Sequence, residues 1–240
     1  MKLLSWNCRS LGRPLTIHNL KGICKSYSPE VDFICETRNQ SRQVEGKLRS
    51  CGYKKWFIMD SDGLSEDLAM AWRDGCTVQI LQYGRFFIAA SDLIASSNDP
   101  YGILGVHLSS NDQHRMAQFA KLTSVTQQFG GKVLLMGDFN VISNQLEKVD
   151  GSIKSSSYIK IFISFIDHNS LIDIGMVGRP FTWSNRRSGD ELIQERLDRF
   201  LVGVDWQQLY PNVSVLRLSE SGLDYSPLLL ESNPRTKRSK

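Results

Sequence analysis

The sequence predicts a mixed α/β (α+β) fold within one domain, and three stretches carry that prediction. In KVLLMGDFN (Lys132–Asn140) the apolar run Val133–Met136 is unbroken, the pattern of a strand covered on both faces rather than one that alternates toward water. Upstream, strand-like runs at 55–59, 68–72, 77–82 and 85–90 follow one another across turn residues, the spacing of an antiparallel meander. Just before the central run, Tyr101–Leu108 reads as a strand and Asn111–Gln128 as a helix with Met116, Phe119, Leu122 and Val125 along one side. Helices and strands are both present, without a regular alternation of the two.

At 240 residues, 41% hydrophobic and 22% charged, the chain can bury a sizeable core and still form one domain. Its net charge of +4 is compatible with a phosphate-bearing partner without requiring one. Five cysteines, Cys8, Cys24, Cys35, Cys51 and Cys76, are odd in number and contain no C-x-x-C, so they predict reduced packing residues rather than a disulfide framework or a zinc site. No apolar run approaches the roughly 18 residues of a membrane span, and Met1 leads straight into a core-like strand. The expectation is a soluble intracellular protein with no membrane partner and no visible address, nucleus and cytoplasm both remaining open.

In chain order, Lys2–Cys8 reads as a strand with the polar Asn7 at its end. Pro14 can open a helix, which Leu15, Leu20, Ile23 and Cys24 continue on one side until Ser28-Pro29 stops it. Val31–Cys35 is a short strand that delivers Glu36, and Ser41–Cys51 is a mostly polar helix. After the meander, Tyr101–Leu108 carries His107 near its end, and a lone histidine there is more often structural than catalytic. The central strand delivers Asp138 and Asn140, two residues apart and so on one face. Such a pair can orient a water, hold a metal or hydrogen-bond a phosphate oxygen. Gly, Asp and Asn also favour plain turns, and the four residues GDFN taken alone read first as a turn.

Beyond Asn140, a helix is expected from about Ser156 to His168. Phe181–Asn185 and Leu192–Asp198 read as two arms of a hairpin or longer loop, with Arg196 and Asp198 near its far end. Val213–Leu218 is a strand, a loop then carries Asp224, and Ser226–Leu230 is the last strand. The domain is expected to span 1–230, with 231–240 a basic flexible tail.

Five segments, taken together and in order, resemble the endonuclease/exonuclease/phosphatase superfamily, and most closely the endonuclease domain of plant non-LTR retrotransposons. They are SWNCRSLG at 5–12, DFICETR at 32–38, LLMGDFN at 134–140, PFTWSNRRSGDELIQERLDRFL at 180–201 and LDYSPLLL at 223–230. GDFN alone is only moderately specific, but the FTWSN to ERLDR block with these companions is highly so, and it displaces the turn reading of Asp138 and Asn140. The resemblance implies a four-layer sandwich of two packed mixed β-sheets flanked by helices, DNase I-like, that hydrolyses DNA phosphodiesters with Mg²⁺, or Mn²⁺, and no small-molecule cofactor. It implies Glu36, Asn7 and Asp224 at the metal, Asp138 orienting or deprotonating the attacking water, and Asn140 and His107 at the phosphate.

Two departures stand out. The family closes its site with Ser-Asp-His, the histidine paired with the carboxylate that is Asp198 here, but this chain has Leu223, Asp224 and Tyr225. A tyrosine stays protonated at pH 7 and cannot serve as the imidazole does, so impaired activity is expected, and a catalytically dead relic that at most binds nucleic acid is the alternative. The second departure is Ser65–Asp67 (SED), where the plant relatives usually carry two glycines.

Overall fold

The computed structural model describes residues 1–59, 67–93, 100–219 and 223–233. One six-stranded sheet has the order β14 (Ser214–Arg217), β15 (Leu228–Glu231), β1 (Lys2–Asn7), β2 (Val31–Cys35), β4 (Leu68–Trp72), β3 (Lys55–Met59). A second has the order β10 (Leu171–Asp173), β13 (Asp198–Gly203), β8 (Val133–Asp138), β7 (Pro100–His107), β6 (Phe87–Leu93), β5 (Gln79–Gly84). Each sheet holds one parallel pair, β1 with β2 and β7 with β8, among antiparallel neighbours. Both parallel pairs are joined through a helix, as such a connection requires: α1 (Pro14–Tyr27) in the first and α3 (Asp112–Thr126) in the second.

The pleat sorts each central strand between two cores. Leu3, Val31, Phe33, Met70, Ile103, Leu134, Met136, Phe200 and Leu230 point into the space between the sheets. Leu4, Trp6 and Ile34 point outward onto α1 and α2 (Ser41–Ser50) through Leu20, Ile23, Val44 and Leu48. On the far side, Leu104, Val133, Leu135 and Leu201 meet Phe119 and Leu122 of α3 and Phe162 and Phe165 of α4 (Ser156–His168). The result is the expected four-layer α/β sandwich. The two sheets come close enough that a Cβ on Gly105 would lie 2.1 Å from the ring of Phe33, so only glycine fits there. No helix among the described residues is long and apolar enough to cross a membrane. All five cysteines are free thiols, four of them buried.

Several boundaries differ from the sequence expectation. The hairpin arms are short, β11 (Trp183–Ser184) and β12 (Gln194–Glu195), and with β9 (Lys148–Val149) they form a separate three-stranded sheet. Asp198 does not end the second arm but opens β13, because Phe200, Leu201 and Val202 after it are buried on both faces beside β8. The short β10 and helix α5 (Val204–Leu209) were not expected, being too brief to show a period. At the end of the chain Glu231 pairs with Lys2, and the buried Ser232 donates its N–H to the Met1 carbonyl at 3.0 Å. The ordered fold therefore passes the expected boundary at 230, and residues 234–240 of the expected tail lie outside the described residues.

Candidate active site

The candidate residues are the continuation of the inter-sheet core. Along β8, Leu134 and Met136 face the other sheet, so the period of two puts Asp138 on the same face. The same count carries Leu3 to Asn7 on β1, Ile103 to His107 on β7 and, read backward, Phe200 to Asp198 on β13. His107 is the register partner of Asp138, and Asp138 that of Asp198, so the three form a row across three strands. Glu36 follows Cys35 at the end of β2 and turns through a left-handed φ of 52°. Apolar side chains fill most of the space between the sheets, and at this one end polar groups replace them.

Hydrogen bonds stitch the two sheets together here. The Asn7 amide nitrogen donates to Glu36 Oε1 at 2.8 Å and to Asp138 Oδ2 at 3.0 Å. His107 Nε2 lies 3.6 Å from Glu36 Oε1 and 3.9 Å from Asp138 Oδ2. Asn140 turns back on the strand with φ 51°, donating its backbone N–H to Asp138 Oδ1 at 2.9 Å and its side-chain amide to the Leu108 carbonyl at 2.7 Å. Gly137 permits the tight passage, since a Cβ there would fall 1.8 Å from the Val106 carbonyl oxygen.

Burial and neighbours divide the three carboxyls. Burial raises Glu36, but the Asn7 amide, His107, Arg38 and Arg9 outweigh it and hold the group below its ordinary value, hence ionised. Arg38 reaches Glu36 Oε2 at 2.5 Å. Asp138 is raised by complete burial, opposed by His107, Asn7 and the Asn140 N–H. Asp198 is raised well above its ordinary value by burial and by the Asp138 charge, and its Oδ2 has no hydrogen-bond partner.

Tyr225 sits beside this row, bridged to Trp183 of the small sheet and buried. Burial, then the charges of Asp138 and Asp198, push its phenol far above the ordinary range, so it is neutral. The Arg9 guanidinium lies over its ring, 5.2 Å from the centroid. Asp224, expected at the metal, accepts from Arg9 Nη1 at 2.9 Å. In the SED segment only Asp67 is described, and it accepts from Thr37 Oγ1 at 3.5 Å, while Ser65 and Glu66 lie outside the described residues.

Sequence reasoning missed the support beneath Asp198. Its N–H and that of Leu197 both donate to Thr182 Oγ1 at 3.0 Å. The fully buried Arg199 joins Glu147 to Asp173, reaching Asp173 Oδ2 at 2.8 Å, and Arg196 reaches the same two carboxylates. A single signal was available, two arginines flanking Asp198 at 196 and 199 in a stretch that must be buried.

The donor chemistry suits a hard divalent cation bound through one carboxylate and water. Glu36 is ionised, and the orphaned Asp198 Oδ2 is a buried carboxyl oxygen at this end with no protein donor. Among the described residues no three His, Cys, Asp or Glu side chains converge as a complete cage, so the fit is to a largely hydrated ion.

The profile of the Endonuclease/Exonuclease/phosphatase family matches residues 4–218. No curated protein sequence matches the chain. Among solved structures it is similar to the 3′-5′ exonuclease NExo of Neisseria meningitidis, at 18% identity and TM-score 0.73 over 96% of this chain and 99% of that one. It is similar to the endonuclease domain of TRAS1, a telomere-specific non-LTR retrotransposon, at 15% and 0.71 over 99% of both. It is also similar to an AP endonuclease of Archaeoglobus fulgidus, at 14% and 0.74 over 96% and 98%. At these identities the likeness is one of fold.

Proposed function

Because this chain belongs to the Endonuclease/Exonuclease/phosphatase family, we propose that it is a DNA phosphodiester hydrolase, a divalent-cation-dependent endonuclease of the retrotransposon type slowed by Tyr225. The observation that carries the reading is the convergence of Asn7, Glu36, His107, Asp138 and Asp198 at one end of the inter-sheet core. DNA as the substrate class is supported by the Neisseria NExo structure that holds a product DNA hairpin.

In this mechanism Asp138, its two oxygens oriented by Asn7 and the Asn140 N–H, accepts a hydrogen bond from a water and takes its proton as the water attacks phosphorus, while the bond from phosphorus to the sugar oxygen breaks and that oxygen leaves, taking a proton from solvent. His107 and Asn140 donate to the phosphate oxygens, where charge grows in the transition state. Glu36, with Asn7 beside it, would hold Mg²⁺ or Mn²⁺, which when bound neutralises charge on the phosphate. Asp224 is assigned to Arg9 rather than to the metal, following the ion pair between them. Asp198, without an imidazole to orient, has no direct part in the proton transfer.

A relic that binds DNA without cutting is the second reading, favoured by the unpartnered Oδ2 of Asp198. Nicking of supercoiled plasmid with and without Mg²⁺ decides between them. Metal-dependent nicking that Asp138→Asn abolishes is the expected result, and no nicking by wild type with either Mg²⁺ or Mn²⁺ leaves the relic.

A further inference from the structure

Arg9 is a cation of this site held by Asp224, which the family's ending keeps, and by Tyr225, which departs from it. Its Nη1 donates to Asp224 Oδ2 at 2.9 Å, and its guanidinium carbon stands 5.2 Å above the centre of the Tyr225 ring. Its own backbone N–H donates to Asn7 Oδ1 at 3.3 Å, which ties it to the residue bridging Glu36 and Asp138. The side chain is 37% exposed, so part of the cation is open to solvent beside the site. A guanidinium carries five N–H donors in a planar fork, and here the buried Nε has no protein acceptor.

A histidine at 225 could carry a positive charge at this place, whereas a phenol cannot. An arginine laid on the face of that phenol restores the charge and, unlike imidazole, keeps it at every working pH. Resting on the nuclease reading above, we propose that Arg9 is a phosphate-contacting residue of this site, its fork meeting a non-bridging oxygen of the scissile phosphodiester and replacing the cationic part of the absent histidine. Asp224 and Tyr225 act as its positioning residues, one fixing the end of the fork and the other its plane.

The test uses the full chain and plasmid nicking with Mg²⁺. Losing one such donor costs about 10²-fold in kcat, so Arg9→Ala should fall by about that factor with KM within about threefold, and Arg9→Lys, which keeps charge but not the fork, should lie between. Methylguanidinium should restore Arg9→Ala, and urea at the same concentration should not, an outcome that a structural role would not produce. Cutting by Arg9→Ala within threefold of an active wild type overturns the proposal. If wild type does not cut, the nuclease reading fails and Arg9 is judged by binding in Ca²⁺ to DNA hairpins ending in phosphate or in hydroxyl. Wild type should then prefer the phosphate end by about tenfold, about 1.4 kcal/mol, and Arg9→Ala should lose that preference. Equal wild-type affinity for the two ends, or a preference that survives in Arg9→Ala, overturns it.

Discussion

Asp198 lies directly across the β13–β8 pair from Asp138, as its register partner, and both side chains are at most 1% exposed. Two carboxyls so placed cannot both ionise cheaply. Burial lifts both; at Asp138 it is opposed by His107, Asn7 and the Asn140 N–H, while at Asp198 the Asp138 charge adds to it and Oδ2 has no partner. The proposed reaction gives proton acceptance to Asp138, the member that Asn7 and the Asn140 N–H hold.

Replacing Asp198, whose anion is disfavoured by burial and by the Asp138 charge, should be tolerated. A group whose folded pKa is raised contributes stability below its unfolded value and loses it as pH rises through the folded value. Wild type should therefore weaken as pH rises from the ordinary aspartate value toward the raised value of Asp198, whereas Asp198→Asn should show a flatter profile. Urea unfolding of both proteins from pH 5 to pH 9 measures this, and parallel profiles would show that Asp198 is ionised throughout.

Restoring the imidazole should restore the acid–base partnership. Tyr225→His places a group that titrates near pH 6.5 beside Asp198, and nicking should rise by at least about tenfold, about 1.4 kcal/mol of barrier. A rate equal to wild type would mean that the phenol is not what limits the reaction.

Metal affinity should separate Glu36 from Asp224. Calorimetric titration with Mg²⁺ should give heat with wild type and with Asp224→Ala, whose carboxylate serves Arg9, and none with Glu36→Ala. Loss of the heat in Asp224→Ala would return that carboxylate to the metal.

The latch behind Asp198 should fail in acid. Burial raises Glu147, but its hydrogen bond and charge contact with Arg199, the Ser143 N–H and Arg196 bring it down to about 2. A lowered pKa gives stability that is present above the unfolded value and lost as pH falls through the folded one, here between about 4.5 and about 2. Glu147→Gln should cost about 3 kcal/mol at pH 7, since it weakens the pairing of a buried guanidinium. That difference should shrink as pH approaches 2, and denaturant midpoints across this range report it.

What the sequence revealed depended on how locally the information was written. The bounds of β2, β3, β4 and α4 are those expected, because periodicity and flanking turn residues lie within each segment. Asn7, Glu36, His107 and Asp138 were legible as polar ends of apolar strands. The start of β13 was hidden, since Asp198-Arg199 interrupts the apolar pattern at the point where the strand begins. Partners far apart in the chain were hidden too. Arg9 and Asp224 are separated by 215 positions, and only the pairing of β15 with β1 and the bridge at Tyr225 bring them together. The family resemblance put Asp224 at the metal, and nothing local in the sequence pointed to its pairing with Arg9.

The pairing of β1 with β15 also sets a clock. Asn7 lies on β1, one edge of which is closed by Leu228–Glu231. During synthesis, at roughly 5 to 20 residues per second, β1 waits for a partner more than 200 positions behind it. Until then it has an open edge able to pair with another chain, and the Arg9–Asp224–Tyr225 corner cannot assemble. Until translation reaches β15 the corner is therefore unformed, and chaperone protection of β1 should matter most at that stage.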